Sequence, residues 1–213
     1  MTKIIIEQIP TGKWKENCYI VHNQDNDAVI IDPGANAKKI IQYVSIHRLN
    51  ILAILNTHAH YDHVGAVAEI KEEYSSPFIL HSKDRKLLKT ANMYATIFEN
   101  SKPIMIPEIE HYFDMIKIED YIKGFTISVI HTPGHTWGSV CIRISDCLFT
   151  GDTIFNGDIG RTDLPGGDQV SLNESLKLIS NLSGQLRLFP GHGVETTLEN
   201  ELKHNKRFIR VIQ

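Results

Sequence analysis

Residues 57–63 read Thr-His-Ala-His-Tyr-Asp-His, a short stretch that brings together three imidazoles and one carboxylate. Such side chains bind transition-metal cations, and their spacing decides which of them can share one ion. On an extended backbone His58 and His60 point to the same side and form a chelating pair. On a helix the two side chains would lie about 200° apart and could not hold one ion. Because the preceding apolar residues 51–55 are typical of a buried strand, we expect the extended geometry.

Asp62 and His63 follow this pair and stand just before residues 64–70, whose sequence Val-Gly-Ala-Val-Ala-Glu-Ile predicts a helix. A chain that turns from a strand end into a helix aims these two side chains at a second point, beside the first. One loop would then supply half the ligands of two neighbouring metal sites.

Three further groups of the same chemistry follow other strand-like segments. Each is a His or Asp within three residues of the segment's end, with Gly or Pro nearby that lets the backbone turn sharply. They are His131 after residues 125–130, Asp152 after residues 147–150, and His192 after residues 186–189. Loops at strand ends can gather groups that are distant in sequence, so we expect all seven side chains to meet.

Seven ligands are too many for one tetrahedral ion, and their imidazoles and carboxylates differ from the Cys-rich set of a structural zinc site. If Asp152 bridges, each of two ions receives about three ligands of its own and a water has room between them. A metal pair about 3.5–4 Å apart can generate hydroxide near neutral pH and stabilise an oxyanion. We therefore expect two divalent metal ions as cofactors, zinc in the first place, with iron or manganese as alternatives.

The elements that must position these groups are short β-branched strands followed by helical patterns in both halves of the chain. Strands are predicted at residues 4–9, 18–22, 28–31, 51–55, 78–80, 125–130, 139–144, 147–150 and 186–189. Helices are predicted from Asn36 as N-cap, from about residue 64 to 74, from Ser82, and from the capping-box spacing that begins at Ser171.

Residues 90–120 are the hardest to interpret, because Pro103 and Pro107 break any long helix. Their aromatic residues are expected to pack in the core rather than line a pocket; they are Tyr94, Phe98, Tyr112 and Phe113. His81, at the end of residues 78–80, is expected to close that strand by hydrogen bonding rather than to bind metal.

Composition narrows the class of protein. A chain of 213 residues with 42% hydrophobic and 22% charged residues is expected to be one globular domain, residues 1–213. Its net charge of −3 argues against a general nucleic-acid or anionic-membrane partner. The charged residue Glu7 interrupts the N-terminal apolar run too early for the hydrophobic core of a signal peptide. Cys18, Cys141 and Cys147 have no metal-binding spacing and lie in strand-like segments, so buried free thiols in a reducing cytoplasm are expected.

These motifs resemble the metallo-β-lactamase superfamily, whose signature is Thr-His-x-His-x-Asp-His followed by separate His, Asp and His positions. The resemblance covers nearly the whole chain and implies a four-layer αββα sandwich, with the metals at one edge of two sheets. It also implies how the ligands divide. His58, His60 and His131 would bind the first metal, Asp62, His63 and His192 the second, and Asp152 would bridge.

Within that superfamily, four segments look most like glyoxalase II: residues 17–19, 31–34, 131–136 and 151–155. The resemblance implies a small-molecule thioester as substrate, S-lactoylglutathione or a related acylglutathione, attacked by a metal-bridging hydroxide that Asp62 helps to orient. Arg161, nine residues after Asp152, stands where glyoxalase II has a basic residue that contacts glutathione. An alternative for Arg161 is a salt bridge to Asp163 or Asp168.

Two departures from glyoxalase II concern the substrate. Asp163 stands where the larger enzymes have an aromatic residue that also contacts glutathione. Only 21 residues follow His192, so the C-terminal helical region that completes the glutathione site is expected to be missing. Residues 160–168 instead resemble short, single-domain bacterial relatives, and the oligomeric state is left open.

Other functions fit the same motifs. An iron-dependent persulfide dioxygenase resembles this chain too and would use the positions of His58, His131 and Asp152 for Fe(II) and O₂. Hydrolysis of another small ester or lactone is a second alternative, and a non-catalytic binding module braced by metal is a third. A nuclease would need a basic surface, and a periplasmic β-lactamase would need an export signal.

Overall fold

The computed structural model describes residues 3–99, 103–182 and 185–213. The strands are β1 (Ile5–Thr11), β2 (Glu16–His22), β3 (Asp27–Ile31), β4 (Asn50–Leu55), β5 (Phe78–Leu80), β6 (His111–Tyr112), β7 (Ile127–His131), β8 (Val140–Ile144), β9 (Cys147–Gly151), β10 (Ile154–Phe155), β11 (Asp158–Ile159), β12 (Arg187–Pro190) and β13 (Thr196–Thr197). The helices are α1 (Ala37–His47), α2 (Tyr61–Val64), α3 (Val67–Tyr74), α4 (Arg85–Lys89), α5 (Ala91–Glu99), α6 (Ile118–Tyr121), α7 (Gln169–Ser180), α8 (Leu198–His204) and α9 (Lys206–Ile212).

Two large sheets organise these elements. One has six strands in the order β1-β2-β3-β4-β5-β6, and the other has five in the order β13-β12-β9-β8-β7. A short β10–β11 hairpin stands apart from both. Backbone hydrogen bonds join the sheets at one edge, from Asn17 N–H to the Gly191 carbonyl (2.7 Å) and from Val140 N–H to the Thr57 carbonyl (2.9 Å). The loops after β4, β9 and β12 therefore lie at this edge.

Strand β2 shows how the layers arise, because all seven of its residues are buried. Successive side chains on a strand point to opposite faces. Cys18 and Ile20 pack under α1 and α3, whereas Tyr19 and Val21 pack between the two sheets. A strand that is buried on both faces needs a cover on each, and the cover is a helix layer on one side and a second sheet on the other.

Three apolar clusters fill the spaces between four layers. The first lies between the six-stranded sheet and helices α1, α3 and α4, and the second lies between the sheets. The third lies between the five-stranded sheet and α7 to α9, where Leu176 and Phe208 are fully buried against Leu188. The order helix, sheet, sheet, helix confirms the predicted αββα sandwich.

Helix starts differ from the sequence predictions in detail. Asn36 precedes α1 as expected, but its side chain does not cap the helix. Its Oδ1 accepts a hydrogen bond from Gly12 N–H instead (2.9 Å), and its backbone is left-handed at φ 56°. The prediction that Ser171 starts the next helix is wrong, because α7 begins at Gln169. Asp168 is its N-cap, with Oδ1 accepting from Ser171 N–H (2.7 Å).

Two smaller predictions, on His81 and on the three cysteines, are confirmed. His81 closes β5 through Nδ1, which accepts a hydrogen bond from Lys83 N–H (3.3 Å). Cys18, Cys141 and Cys147 are buried free thiols. Burial raises the pKa of Cys141 to about 11 and that of Cys147 to about 12. No helix in the described ranges is long and apolar enough to span a membrane.

Candidate metal centre and substrate cavity

A first group of histidines lies where the loop after β4 meets the loop after β7. One ring nitrogen from each of His58, His60 and His135 lies within 4.8 Å of the others. His60 Nδ1 and His135 Nε2 are 2.8 Å apart, and the His58 ring lies edge-on to both. His58 and His60 share this point, as the extended geometry of the loop predicts.

A second group lies beside the first. It consists of Asp62, His63 and His192, whose ligand atoms also lie within 4.8 Å of one another. Asp62 and His63 come from the short helix α2, and His192 comes two residues after β12. Asp62 Oδ2 is 3.4 Å from His192 Nε2. Turning into the helix does aim Asp62 and His63 at a second point, as predicted.

Asp152 lies between the two groups. It directly follows β9, its Oδ1 is 3.5 Å from His63 Nε2, and its Oδ2 is 3.5 Å from His135 Nε2. The same Oδ2 is 3.7 Å from His192 Nε2. One carboxylate therefore faces ligands of both groups, which is the placement that a bridging ligand needs.

The prediction that His131 completes the first group is wrong. His131 is the last residue of β7, and its ring stacks on His81 with a centroid separation of 4.2 Å. Its Nε2 is 3.0 Å from the Trp137 carbonyl. Among the described residues, no group with metal-binding spacing includes it. His135 takes its place because the chain must first leave the strand and turn at Gly134 (φ 136°) before a side chain can reach the cluster.

Two outer residues fix the rings of His58 and His63. Asp32 is buried and accepts hydrogen bonds from Thr57 N–H (2.7 Å), from the Thr57 hydroxyl (2.6 Å) and from His63 Nδ1–H (3.1 Å). Since the Thr57 hydroxyl proton goes to Asp32, its oxygen accepts from His58 Nδ1–H (3.0 Å). Both rings thus turn Nε2 toward the cluster, with the support that metal-bound imidazoles usually have.

Backbone carbonyls do the same for two of the three remaining rings, those of His135 and His192. His135 Nδ1–H donates to the Arg161 carbonyl (2.9 Å), and His192 Nδ1–H donates to the Trp14 carbonyl (3.3 Å). A carbonyl can only accept, so Nε2 of each ring keeps its lone pair for the cluster.

The atoms that face the centre fit a cation. The Nε2 atoms of His58 and His63 and the Oδ1 of Asp152 are buried and have no hydrogen-bond partner in the described part of the chain, and His60 turns Nδ1 toward the first group. Burial and neighbouring imidazoles lower the pKa of His58 and His60 well below the ordinary value. Neutral imidazoles and a carboxylate are metal ligands, and buried polar atoms without partners are otherwise costly.

Gly191 leaves the space that this arrangement needs. A Cβ added at Gly191 would overlap Asp152 Oδ1 and would lie 2.7 Å from His63 Cε1. The backbone after β12 therefore passes directly beneath the carboxylate, which no other residue type at this position would allow.

Asp84 is a positioning residue that the sequence analysis did not identify. It is fully buried, its Oδ2 accepts from Ala59 N–H (3.0 Å) and from the Thr136 hydroxyl (2.8 Å), and its Oδ1 accepts from Gly138 N–H (2.7 Å). Ala59 lies between two histidines of the first group, and Thr136 follows the third. One carboxylate thus holds together both loops that carry this group.

We expect Asp84→Ala to weaken metal binding roughly 10–100-fold, the usual effect of losing an outer support of a metal site. It should also destabilise the fold by about 1–3 kcal/mol for each buried N–H left unpaired. Metal titration and thermal unfolding measure the two effects. Asp114→Ala is the matched control, because Asp114 also accepts a backbone N–H, that of Ser82, but touches neither loop. Equal metal affinity in the two variants would contradict the role given to Asp84.

A cavity of about 570 Å³ opens over the centre. One wall is aromatic: Trp14 Nε1 donates to the Tyr61 hydroxyl (2.8 Å), Phe98 stacks on Tyr61, and Tyr94 stacks on Phe98. The expectation that Phe98 packs rather than lines a pocket is therefore wrong, since it lines the cavity and its side chain is 46% exposed. Tyr94 packs against the first apolar cluster, as expected, and also lines the cavity. Phe113 is buried between the sheets, as expected.

Arg161 lines the same cavity and forms a salt bridge. Its Nε and Nη2 each lie 2.7 Å from a carboxylate oxygen of Asp163, and both side chains are mostly exposed. The salt bridge that was an alternative to substrate binding is thus present. Exposed ion pairs are weak, so this one leaves Arg161 able to exchange partners.

The chain has relatives along almost its full length. A Bacillus subtilis protein described as the probable metallo-hydrolase YqgX is 35% identical over 93% of this chain and 94% of its own length. The Haemophilus influenzae hydroxyacylglutathione hydrolase GloC is 31% identical over 94% of this chain and 96% of its own length.

Two solved structures are similar in fold as well as in sequence. The BLEG-1 B3 metallo-β-lactamase has a TM-score of 0.88 and 38% identity, and the match covers 96% of this chain and 99% of that one. TTHA1623 in a di-iron-bound form has a TM-score of 0.84 and 36% identity, and the match covers 94% and 99%. Residues 11–192 match the family model of the metallo-β-lactamase superfamily. With the αββα sandwich and the two ligand groups at its edge, the chain belongs to the metallo-β-lactamase superfamily.

Proposed function

We propose that this protein is a metal-dependent thioesterase that hydrolyses S-lactoylglutathione or a related acylglutathione. The observation that carries the proposal is Asp152, whose two carboxylate oxygens face both ligand groups. A site for two adjacent cations is suited to hydrolysis of an activated carbonyl.

The ligands divide in the following way in this proposal. His58, His60 and His135 would hold the first cation, Asp62, His63 and His192 would hold the second, and Asp152 would serve both. When bound, the two divalent ions supply a hydroxide nucleophile near neutral pH and stabilise the oxyanion that forms on the carbonyl.

Asp62 has a second task, to orient the attacking water. Burial opposes its ionisation, but the imidazoles of His192, His63 and His60 beside it hold the pKa of Asp62 well below its ordinary value. It is therefore an acceptor at neutral pH. The residue also lines the cavity, so a carboxylate oxygen can accept a hydrogen bond from water on the substrate side.

The leaving group favours a thioester over an amide or an alkyl ester. A thiol has a pKa near 8.5, so a thiolate can leave with little help from a general acid. The ligand residues include no obvious proton donor for a more basic leaving group. The similarity to GloC, a hydroxyacylglutathione hydrolase, supports a glutathione thioester in particular.

The test is hydrolysis by protein purified without added metal, with its metal content measured beside the rate. We expect close to two equivalents of a divalent metal and release of glutathione from S-lactoylglutathione. Nitrocefin belongs in the same panel because of the similarity to a B3 metallo-β-lactamase. Well under one equivalent of metal, with no thioester cleavage after reconstitution, would refute the proposal.

An iron-dependent persulfide dioxygenase is the second candidate. The di-iron form of TTHA1623, 36% identical, supports iron as a possible metal of this chain. With His131 outside the cluster, a two-histidine, one-carboxylate site would have to use His58, His135 and Asp152. Oxygen consumption with glutathione persulfide would favour this candidate, and S-lactoylglutathione cleavage that persists without oxygen would favour the thioesterase.

A further inference from the structure

A second groove of about 560 Å³ lies beside the cavity over the metal centre. The two spaces share the side chains of Ile159, Arg161 and Arg207. None of the aromatic wall residues of the cavity lines the groove. The groove therefore adjoins the cavity at these three residues, and most of its lining residues are polar.

Three arginines give this groove its charge. Arg161 pairs with Asp163, and Arg207 Nη1 lies 2.9 Å from Asp158 Oδ1. Arg210 is exposed, and the described residues provide no hydrogen bond or ion pair to its guanidinium. Both existing pairs are mostly exposed and so exchange partners at little cost. The groove consequently offers guanidinium groups to an anion that approaches along it.

Helix α9 is held so that two of these arginines share one face. Asn205 is buried and caps the helix, accepting from Phe208 N–H (3.1 Å), while its Nδ2 donates to the Asp158 carbonyl (2.9 Å) and to Glu201 Oε2 (2.9 Å). These bonds fix α9 against the β11 strand. Arg207 and Arg210 are three residues apart and therefore project from the same side of the helix.

Resting on the proposed thioesterase function, we infer that this groove binds anionic groups on the thiol half of the substrate. Arg207 and Arg210 of α9 are its specificity residues. A thioester with its carbonyl at the metal centre must extend its two halves along the cavity. The aromatic wall carries no charge and suits an uncharged acyl half, and the arginine groove suits a thiol that carries carboxylates or phosphates.

Three acetyl thioesters test the inference, because they share the acyl group and differ only in the thiol. S-acetylglutathione carries carboxylates, acetyl-coenzyme A carries phosphates, and S-acetyl-N-acetylcysteamine is neutral. We expect Arg210→Gln to lower kcat/KM for at least one charged substrate about tenfold, the effect of losing one charge-assisted hydrogen bond. The loss should come through KM. The double variant Arg207→Gln/Arg210→Gln should lose more, and the neutral thioester should change less than about twofold.

Lys206→Gln is the matched control, since it removes one positive charge from the same helix at a residue that lines neither space. Its kinetics should match those of the wild type. If Arg210→Gln affects all three thioesters equally, or none of them, the inference is wrong. Which charged substrate responds distinguishes a carboxylate ligand from a phosphate ligand.

Binding of S-hexylglutathione and of coenzyme A, measured by calorimetry, separates this inference from the proposed function. If the wild type cleaves no thioester but binds one of these anions in a way that Arg210→Gln weakens, the groove stands and the thioesterase does not. If the wild type cleaves the neutral thioester as well as the charged ones and binds neither anion, the proposed thioesterase function stands and the inference about the groove is wrong.

Discussion

Replacing Asp152 with alanine is expected to release both metal ions together and to lower thioester hydrolysis by several orders of magnitude. One of its oxygens faces His63, and the other faces His135 and His192. Two cations at short range repel each other, and a carboxylate between them cancels much of that repulsion. Without Asp152, the first group has no anionic ligand and the second has only Asp62.

The informative comparison for Asp152→Ala is His192→Ala, which removes a ligand of the second group only. If both ions are needed, this variant should keep the first metal, lose the second, and lose most of its activity. Metal content and thioesterase rate, measured for the two variants side by side, decide the matter. Near-normal thioester hydrolysis by His192→Ala would refute the two-metal mechanism and would indicate that the first metal alone supports the reaction.

His135→Ala and His131→Ala should behave in opposite ways, although the two histidines are four residues apart. Removing His135 takes one of three imidazoles from the first group, so metal affinity and hydrolysis should collapse. Removing His131 breaks a stack on His81 outside the cluster. It should leave metal content and kcat unchanged and cost about 1 kcal/mol of stability, the ordinary effect of a point substitution. Metal loss in His131→Ala, with metal retained in His135→Ala, would reverse the assignment made from the structure.

The sequence predicts the strands and two ligand pairs well, for a local reason. Residues 51–55 are apolar and end at one loop, and the period of a strand alone places His58 and His60 on the same side. The error at His131 has a local cause too. In the other ligand loops the metal-binding side chain comes after the strand has ended. His131 is instead the last residue of β7, because that strand extends one residue further than predicted. The Gly134-His135 turn is the signal that would have identified the correct residue.

The outer supports of the site are harder to predict. Asp84 is separated from Ala59 by 25 residues and from Gly138 by 54. Its role depends on how the two loops meet in three dimensions, and no sequence pattern near Asp84 indicates that contact. Asp32 is similar, because a single buried carboxylate looks like any strand-ending Asp until the fold brings Thr57 and His63 to it.

The buried cysteines have a practical consequence for measuring thioester cleavage. All three thiols of the chain lie in the interior, and burial raises the pKa of each above its ordinary value. A thiol-reactive chromophore attacks the thiolate form, so the folded enzyme should consume almost none of it. Colour that develops in a continuous assay would then report the liberated product alone. Any slow rise in an enzyme-only blank would measure transient opening of the sheets around β2, β8 and β9.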